Sequence, residues 1–576
     1  MGHPQPTRRE FLQHATGAAT AAASLGTSRP RALRRGEGAT ESAPTRSASR
    51  APVPPANAPP VYGILADAAR VPEKIEHYER LIDFCAEWKF NALQFRLSDD
   101  QGCALRFASH PELLTHHNAL SPSEMRRLVE YGEKRGVTLI PEIESFGHTR
   151  YITGVPRYAE LSDQGPGARS DFTGIIPVHP QTLAIFRDLY HEIAALFASP
   201  YIHGGCDEVN WGGSELSRQA LRQKTRTQIW ADYLNALDAI TRGEGKELIV
   251  WGDHVLRLEP EILGLLNQDV IVMDWNYEDE DPAELRKLAQ KVVASGHRAM
   301  GAPGLIYFRW GPRPGSTQFN NLDAYAEAYR GLSGSLGVIV TNWVPSRYLA
   351  DSLWDGFAYA AVTLQEGSEA ARQTAFRRFV AKHYAAEWSD PWDDVFTTLY
   401  DQAPHAPACC SPWMRPPLIA PWHSDAELAA TLREGVTDPP PYTRLRSQLV
   451  FCAATVRKNL EDFACFQLCV EYLEHLFWRS TSVVREALHE NRIQESDGLL
   501  IRTIAARDRQ LVERLEADWD RARPSDSPAK REAIFDFSPQ DQLLFRLREA
   551  AAYSAQLAAD PERFHRLLSV PTPRLG

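Results

Sequence analysis

Val61-Tyr62-Gly63-Ile64-Leu65, then an amphipathic stretch from Pro72 to Trp88, then Ala92-Leu93-Gln94-Phe95, is the run of sequence that decides the fold. A short β-rich run, a helix-period stretch and a second β-rich run make one strand–helix–strand unit. In the helical stretch Ile75, Leu81, Ile82 and Cys85 fall on one face, and Pro72 suits a first helical turn. The pattern then repeats. A helix opened by Ser121-Pro122-Ser123-Glu124 carries a capping-box signature and leads to Val137-Thr138-Leu139-Ile140. Further runs follow at Tyr201-Ile202-His203, Leu248 to Trp251, Val270 to Met273, Arg298 to Met300 and Val338 to Thr341. The helices expected between and after them lie near Pro180–Ala198, Ser214–Thr241, Pro260–Leu266, Pro282–Ala294, Leu322–Leu332 and Asp351–Leu364. Strict alternation forces parallel strands. Eight units predict a (β/α)8 barrel over residues 61–365. A doubly wound open sheet is the alternative, but no GxGxxG or GxxxxGK[ST] follows the first strand.

Outside the barrel the chain changes character. Residues 366–576 read as a mostly α-helical carboxy-terminal domain, with long periodic stretches at Ala370–Trp388 and Leu449–Leu488 and a Pro/Cys-rich segment between them near Pro404–Pro421. At the other end, Thr7-Arg8-Arg9-Glu10-Phe11-Leu12 and the weakly apolar run Ala15–Leu25 resemble a Tat-type export signal over residues 1–26. Residues 27–60, rich in Arg, Ser, Ala and Pro, read as a flexible linker. The expected destination is therefore outside the cytoplasm.

Composition excludes several functions. Of 576 residues, 43% are hydrophobic, enough for a buried core. Net charge is 63 − 74 = −11, which argues against a nucleic-acid partner. No apolar run reaches the length of a membrane-spanning helix. The eight cysteines form no CxxC pair; Cys465 and Cys469, one turn apart, read as two half-buried thiols on a helix and not as a metal site. No metal and no cofactor is expected.

In a barrel of this kind the residues just after each strand converge at one mouth. Here the first strand leads to Asp67 and Arg70, the second to Asp99 and Asp100, the third to Glu142, Glu144 and His148, and the fourth to His203, Asp207 and Glu208. Trp251, Trp275 and Trp343 end the fifth, sixth and eighth strands, and Tyr307 follows the seventh. Clustered carboxylates repel, so some keep a proton; a raised acid beside an ionised one suits glycosidic cleavage. Three tryptophans offer a wall for sugar C–H faces and an acetyl methyl group, and Arg70 a forked donor for vicinal hydroxyls.

Asn91 to Gly102 (NALQFRLSDDQG), Pro141 to Thr149 (PEIESFGHT) and His203 to Val209 (HGGCDEV) together resemble the family-20 glycoside hydrolases, the β-N-acetylhexosaminidases, with Asn342 to Tyr348 (NWVPSRY) closer to the hexosaminidase D branch. The resemblance implies an exo-acting enzyme that removes terminal β-linked N-acetylhexosamine from an oligosaccharide or glycoconjugate, the substrate's own acetamido oxygen acting as nucleophile. It implies Glu208 as general acid and base, Asp207 as the partner of the acetamido N–H, and Tyr307 as donor to the acetamido oxygen. Trp251, Trp275 and Trp343 would box the acetyl group and Arg70 bind ring hydroxyls. Asp99 and His148 would form a polar relay, with Glu144 and His203 behind them. The chain departs from the family pattern at Cys206, where Gly is usual, and at Arg309 and Pro345, where acids are usual. A sugar-binding barrel without turnover, and a glycosidase using two protein carboxylates such as Glu144 and Glu208, remain as alternatives. The helical domain is the expected surface for a homodimer.

Overall fold

The computed structural model describes residues 59–165, 174–306, 315–402, 442–488, 494–530 and 542–568. The leader, nearly all of the linker, Tyr307, Arg309, Cys409, Cys410 and the Pro404–Pro421 segment lie outside the described residues.

Eight parallel strands close into a barrel: β1 (Val61–Ala66), β2 (Ala92–Arg96), β3 (Thr138–Glu142), β4 (Tyr201–His203), β5 (Glu247–Trp251), β6 (Ile271–Asp274), β7 (Arg298–Gly301) and β8 (Ser335–Asn342). Closure is made by β1 against β8, with Val61 opposite Gly337 and Ile64 opposite Val340. The strands' inward positions alternate. Ala92, Ile140, Ile249, Ile271 and Ile339 fill the barrel with apolar side chains. One step further along, Gln94, Arg96, Glu142 and His203 are equally buried but polar. The barrel is thus a plug of aliphatic carbon capped by a charged layer, and the cap is where chemistry is available.

Around it lie α1 (Ile75–Glu87), α2 (Pro122–Glu133), α3 (Pro180–Leu196), α4 (Arg226–Gly243), α5 (Pro282–Ala294), α6 (Ser316–Tyr329) and α7 (Trp354–Glu366). Ser121 caps α2 with the reciprocal Glu124 bond, as the sequence predicts. Other boundaries differ for identifiable reasons. The helix expected from Pro72 begins at Ile75: Lys74 keeps extended backbone (φ −67°, ψ 148°) as its N-cap, and its N–H donates to Ala522 O at 2.7 Å. The long helix expected from Ser214 is two helices: Thr225 adopts extended backbone and caps α4 through Gln228. The fifth unit has no α-helix but a π-turn, His254–Leu258, and a 3₁₀ turn, Pro260–Leu265. A small three-stranded sheet, Ser98–Asp99, Gly102–Leu105 and Thr115–Leu120, follows β2 and was not legible in the sequence.

The carboxy-terminal part contributes α8 (Ser368–His383), α9 (Tyr442–Ala453), α10 (Leu460–Leu488), α11 (Gln494–Ala522) and α12 (Leu543–Ala559). The single stretch expected over Leu449–Leu488 is broken at Asn459, whose φ is 51°. Cys465 and Cys469 are fully buried in the α10 core and not half-buried, because their face packs on Leu515 and Trp519 of α11. No helix among the described residues is long and apolar enough to cross a membrane.

A buried polar knot ties α10, α11 and α12. His475 Nε2 lies 2.7 Å from Asp508 Oδ1, Arg479 Nη1 lies 3.4 Å from the same oxygen, and Ser554 donates to Asp508 Oδ2. Replacing Asp508 by Ala would leave the Arg479 guanidinium buried without its carboxylate. We expect Asp508→Ala to cost about 3–5 kcal/mol in guanidinium denaturation followed by helical circular dichroism. Asp508→Asn, which keeps acceptor capacity, should cost less.

Candidate active site

The charged layer centres on Arg96, which ends β2 and has no exposed surface. Its Nη2 lies 2.6 Å from Asp99 Oδ2, and its Nη1 lies 2.7 Å from Glu144 Oε1 and also contacts Glu142. Arg70 adds a second guanidinium, 2.9 Å from Asp67 Oδ2 and 3.0 Å from Asp99 Oδ2. Burial alone would push Asp99 up, but Arg70, Arg96 and His148 outweigh it and hold the carboxyl well below its ordinary range.

The loop after β4 carries the acidic pair. Its backbone is left-handed at Gly205 (φ 67°), Cys206 (73°) and Glu208 (50°). Each non-glycine residue held there costs on the order of 1–3 kcal/mol. Gly205 is obligatory for a second reason: a Cβ there would sit 2.1 Å from Glu144 Oε2. The turn is over-determined from behind. Cys206 N–H donates to Glu144 Oε2 at 3.1 Å, Glu208 N–H to Asp253 Oδ2 at 2.9 Å, and Val209 N–H to His254 Nε2 at 3.1 Å. Gly205 N–H donates to His203 Nδ1 at 3.0 Å.

Electrostatics sort these groups by protonation. Glu144 is raised well above the carboxylate range, first by burial and then by Asp207, so it retains a proton beside Asp207. Asp207 is itself lowered: burial opposes ionisation, but His148 and Arg96 favour it more. A hydrogen bond between the Glu144 and Asp207 side chains adds to both shifts. Asp253 is pushed up to about 8, chiefly by burial and then by Asp207. His203 falls to about 3 and His254 to about 4, both mainly through burial, so both are neutral acceptors. His148 goes the other way: burial opposes its charge, but Asp99 and Asp207 raise it. Its Nε2 lies 3.4 Å from Glu208 Oε2 and 3.9 Å from Asp207 Oδ2, and its Nδ1 is nearer Asp100 (3.3 Å) than Asp99 (3.8 Å).

The aromatic wall comes from three strand ends. Trp251 and Trp343 meet edge to face at 5.8 Å, and Trp275 stacks on Tyr277 at 5.3 Å. Trp343 Nε1–H donates to Tyr277 Oη at 2.6 Å, and Trp251 Nε1–H to Glu142 Oε1 at 3.1 Å. The Arg70 guanidinium carbon lies 5.4 Å from the Trp343 ring centre.

Arg70, Asp99, Glu144, His148, His203, Asp207, Glu208, Trp251, Trp275 and Trp343 thus gather at one end of the barrel, while Tyr307 lies outside the described residues. The sequence reading gave no role to Arg96, Glu142, Asp253, His254 or Tyr277. An arginine at an inward strand position, and two polar residues directly behind Trp251, were the available signals. His148 also stands within ligand range of Asp99 and Asp100, and of Asp207 and Glu208. Asp99 already shares its charge with two guanidiniums, which makes it a poor metal ligand.

A barrel whose mouth pairs sorted carboxylates with an aromatic wall has the equipment of a glycoside hydrolase. The family model for the glycosyl hydrolase family 20 catalytic domain matches residues 61–332, from β1 to just past α6 of the barrel. A β-hexosaminidase of Vibrio furnissii is 27% identical over 250 residues, 37% of this chain and 39% of that protein. The β-hexosaminidase subunit beta of Felis catus is 28% identical over 235 residues, 37% and 43%. The crystal structure of a family-20 exo-β-N-acetylglucosaminidase of Vibrio harveyi (an inactive mutant) overlays with a TM-score of 0.43 at 21% identity, covering 54% of each chain. The chain spans less than half the length of these curated relatives.

Asp253 supplies a pH test. Its ordinary value is 3.8 and its folded value about 8. Between them the folded chain binds more protons than the unfolded one, so its contribution to stability falls as pH rises. Asp253→Asn keeps an acceptor for Glu208 N–H and does not titrate. Its melting temperature relative to wild type should therefore climb steadily from about pH 5 to about pH 8 in calorimetry. Asp253→Leu, lacking the acceptor, should lower kcat about a hundredfold through misplacement of Glu208.

Proposed function

We propose that this protein is an exo-acting β-N-acetylhexosaminidase that cleaves terminal β-linked GlcNAc or GalNAc with participation of the substrate's acetamido group. One observation carries the reading: Asp207 is held ionised by His148 and Arg96, directly beside Glu208, which the same His148 faces. A fixed carboxylate there accepts the acetamido N–H, sharpens the acetamido oxygen as nucleophile and offsets the positive charge of the cyclised intermediate. Glu208 protonates the leaving oxygen, then takes a proton from the water that reopens the ring. His148 faces both carboxylates and moderates their mutual repulsion. Trp251, Trp275 and Trp343 enclose the acetyl methyl, Arg70 binds ring hydroxyls, and Tyr307 donates to the acetamido oxygen.

Glu144 disfavours a protein nucleophile in this site. It is fully buried, keeps its proton, and already bonds Cys206 N–H and Arg96. The Tat-type pattern at residues 1–26 supports export. Self-association through the helical domain is supported by Val450, Phe451 and Leu460, all more than 60% exposed near the α9–α10 junction.

Hydrolysis of aryl β-GlcNAc and β-GalNAc tests the proposal. Glu208→Gln should lower kcat/KM by about 10²–10⁴ and Asp207→Asn by about 10²–10³. A thiazoline mimic of the cyclised sugar should block the wild type at concentrations far below KM. Turnover that ignores the thiazoline would move the nucleophile to the protein, and sugar binding without turnover would leave a lectin.

A further inference from the structure

The two halves of the sugar pocket are anchored in different places. Asp207 and Glu208 are held by Glu144, Asp253 and His254, all within the barrel. The opposite wall, Arg70 and Trp343, belongs to the loops after β1 and β8. Those loops are joined at the pocket, where Val344 N–H donates to Asp67 Oδ2 at 2.9 Å. At their far ends both enter the helical domain. Val71 and Leu349 are part of that domain's own hydrophobic core, with Leu468, Tyr472, Leu515 and Trp519.

Arg523, just past the end of α11, spans the two loops. It is fully buried. Nη1 donates to Tyr348 O at 2.8 Å, and Nη2 pairs with Glu73 Oε1 at 3.0 Å. Its guanidinium carbon lies 4.0 Å from the Trp519 ring centre, which fixes the plane of the fork. Beside it Lys74 N–H donates to Ala522 O and Lys74 Nζ to Asp520 O, each at 2.7 Å. Tyr348 leads back to the end of β8, its hydroxyl accepting from Asn342 Nδ2 at 3.1 Å. The β1–β8 ladder needs none of this, since its register runs through residues 61–64 and 337–340.

We propose that Arg523 is a positioning residue of the sugar pocket, and that the helical domain completes the pocket by fixing the Arg70 and Trp343 loops against each other. The proposal rests on the β-N-acetylhexosaminidase reading. Because the acidic pair is anchored separately, loss of the clamp loosens recognition of the sugar and leaves the chemical step nearly intact.

The test is a KM-against-kcat split on the full chain with aryl β-GlcNAc. In Arg523→Ala, KM and the dissociation constant of free GlcNAc should both rise about tenfold, with kcat within about threefold of wild type. Arg523→Lys, able to serve one acceptor at a time, should restore about half of that loss on a logarithmic scale. Glu73→Ala cuts the same clamp from the barrel side and should raise KM in the same direction, so the result does not depend on one variant folding. Acrylamide quenching, with Trp519 replaced by Phe in every variant because Arg523 covers its ring, gives a readout independent of turnover: Arg523→Ala should increase quenching, and the increase should vanish when Trp343→Phe is added. A KM within twofold of wild type in the folded variants, or a collapse of kcat at unchanged KM, would overturn the clamp. Absence of wild-type hydrolysis would instead sink the hexosaminidase reading, and the quenching experiment would still decide the clamp.

Discussion

Everything at the mouth of this barrel depends on one buried guanidinium. Arg96 stands where an aliphatic side chain would otherwise cap the barrel, and its removal from water is expensive. Asp99 from the connection after β2, and Glu142 and Glu144 from the end of β3, meet it, and Asp207 adds its field. In exchange the barrel can hold a crowd of carboxyls that would otherwise all take up protons. Asp99 and Asp207 are held ionised, the first by Arg70, Arg96 and His148 and the second by His148 and Arg96. Glu144 and Asp253, equally buried but facing Asp207, keep their protons and act as neutral braces. Arg96, with Arg70 and His148, thereby sorts the buried acids at the mouth.

The strained turn at Gly205–Glu208 follows the same logic. Left-handed backbone at Cys206 and Glu208 persists because neutral partners take each exposed N–H. Neutrality matters there: an ionised Asp253 would compete with Asp207 for the little positive charge available. Strain in the loop and protonation of its braces are therefore one property seen from two sides.

The barrel was legible because its signals are local. Each strand is a short apolar run, several helices announce themselves by a cap or a proline, and the strand-end residues can be collected without knowing any distance. Pro282–Ala294 and the Ser121–Glu124 box needed nothing more. What stayed hidden was set by tertiary contact. The segment before α1 is tied to a carbonyl some 450 positions away, at Ala522, which no local pattern could announce. The partner of His148 is Asp100 more than Asp99, a matter of tenths of an ångström that spacing cannot express. Arg96 and Asp253 were visible as letters, but their importance lies in what surrounds them. The helical domain read as an appendage because its ties to the barrel join distant residues, such as Arg523 with Tyr348 and Glu73, Arg80 with Asp462, Arg521 with Asp351, and Val71 and Leu349 with the helical core, and such contacts leave no motif.

That tie gives the molecule an unusual division of labour for inheritance. The acid pair and its braces lie on one stretch of chain, β3 to β5, while the wall opposite them is held from the far carboxy-terminal end. Changes in the packing of α10 to α12 can reach the loops that carry Arg70 and Trp343 without touching Asp207 or Glu208. Under the proposed activity, a lineage carrying this architecture can change its sugar preference through the helical domain while its reaction stays constant. The barrel cut out alone would keep its acids but lose the far support of the Arg70 and Trp343 loops.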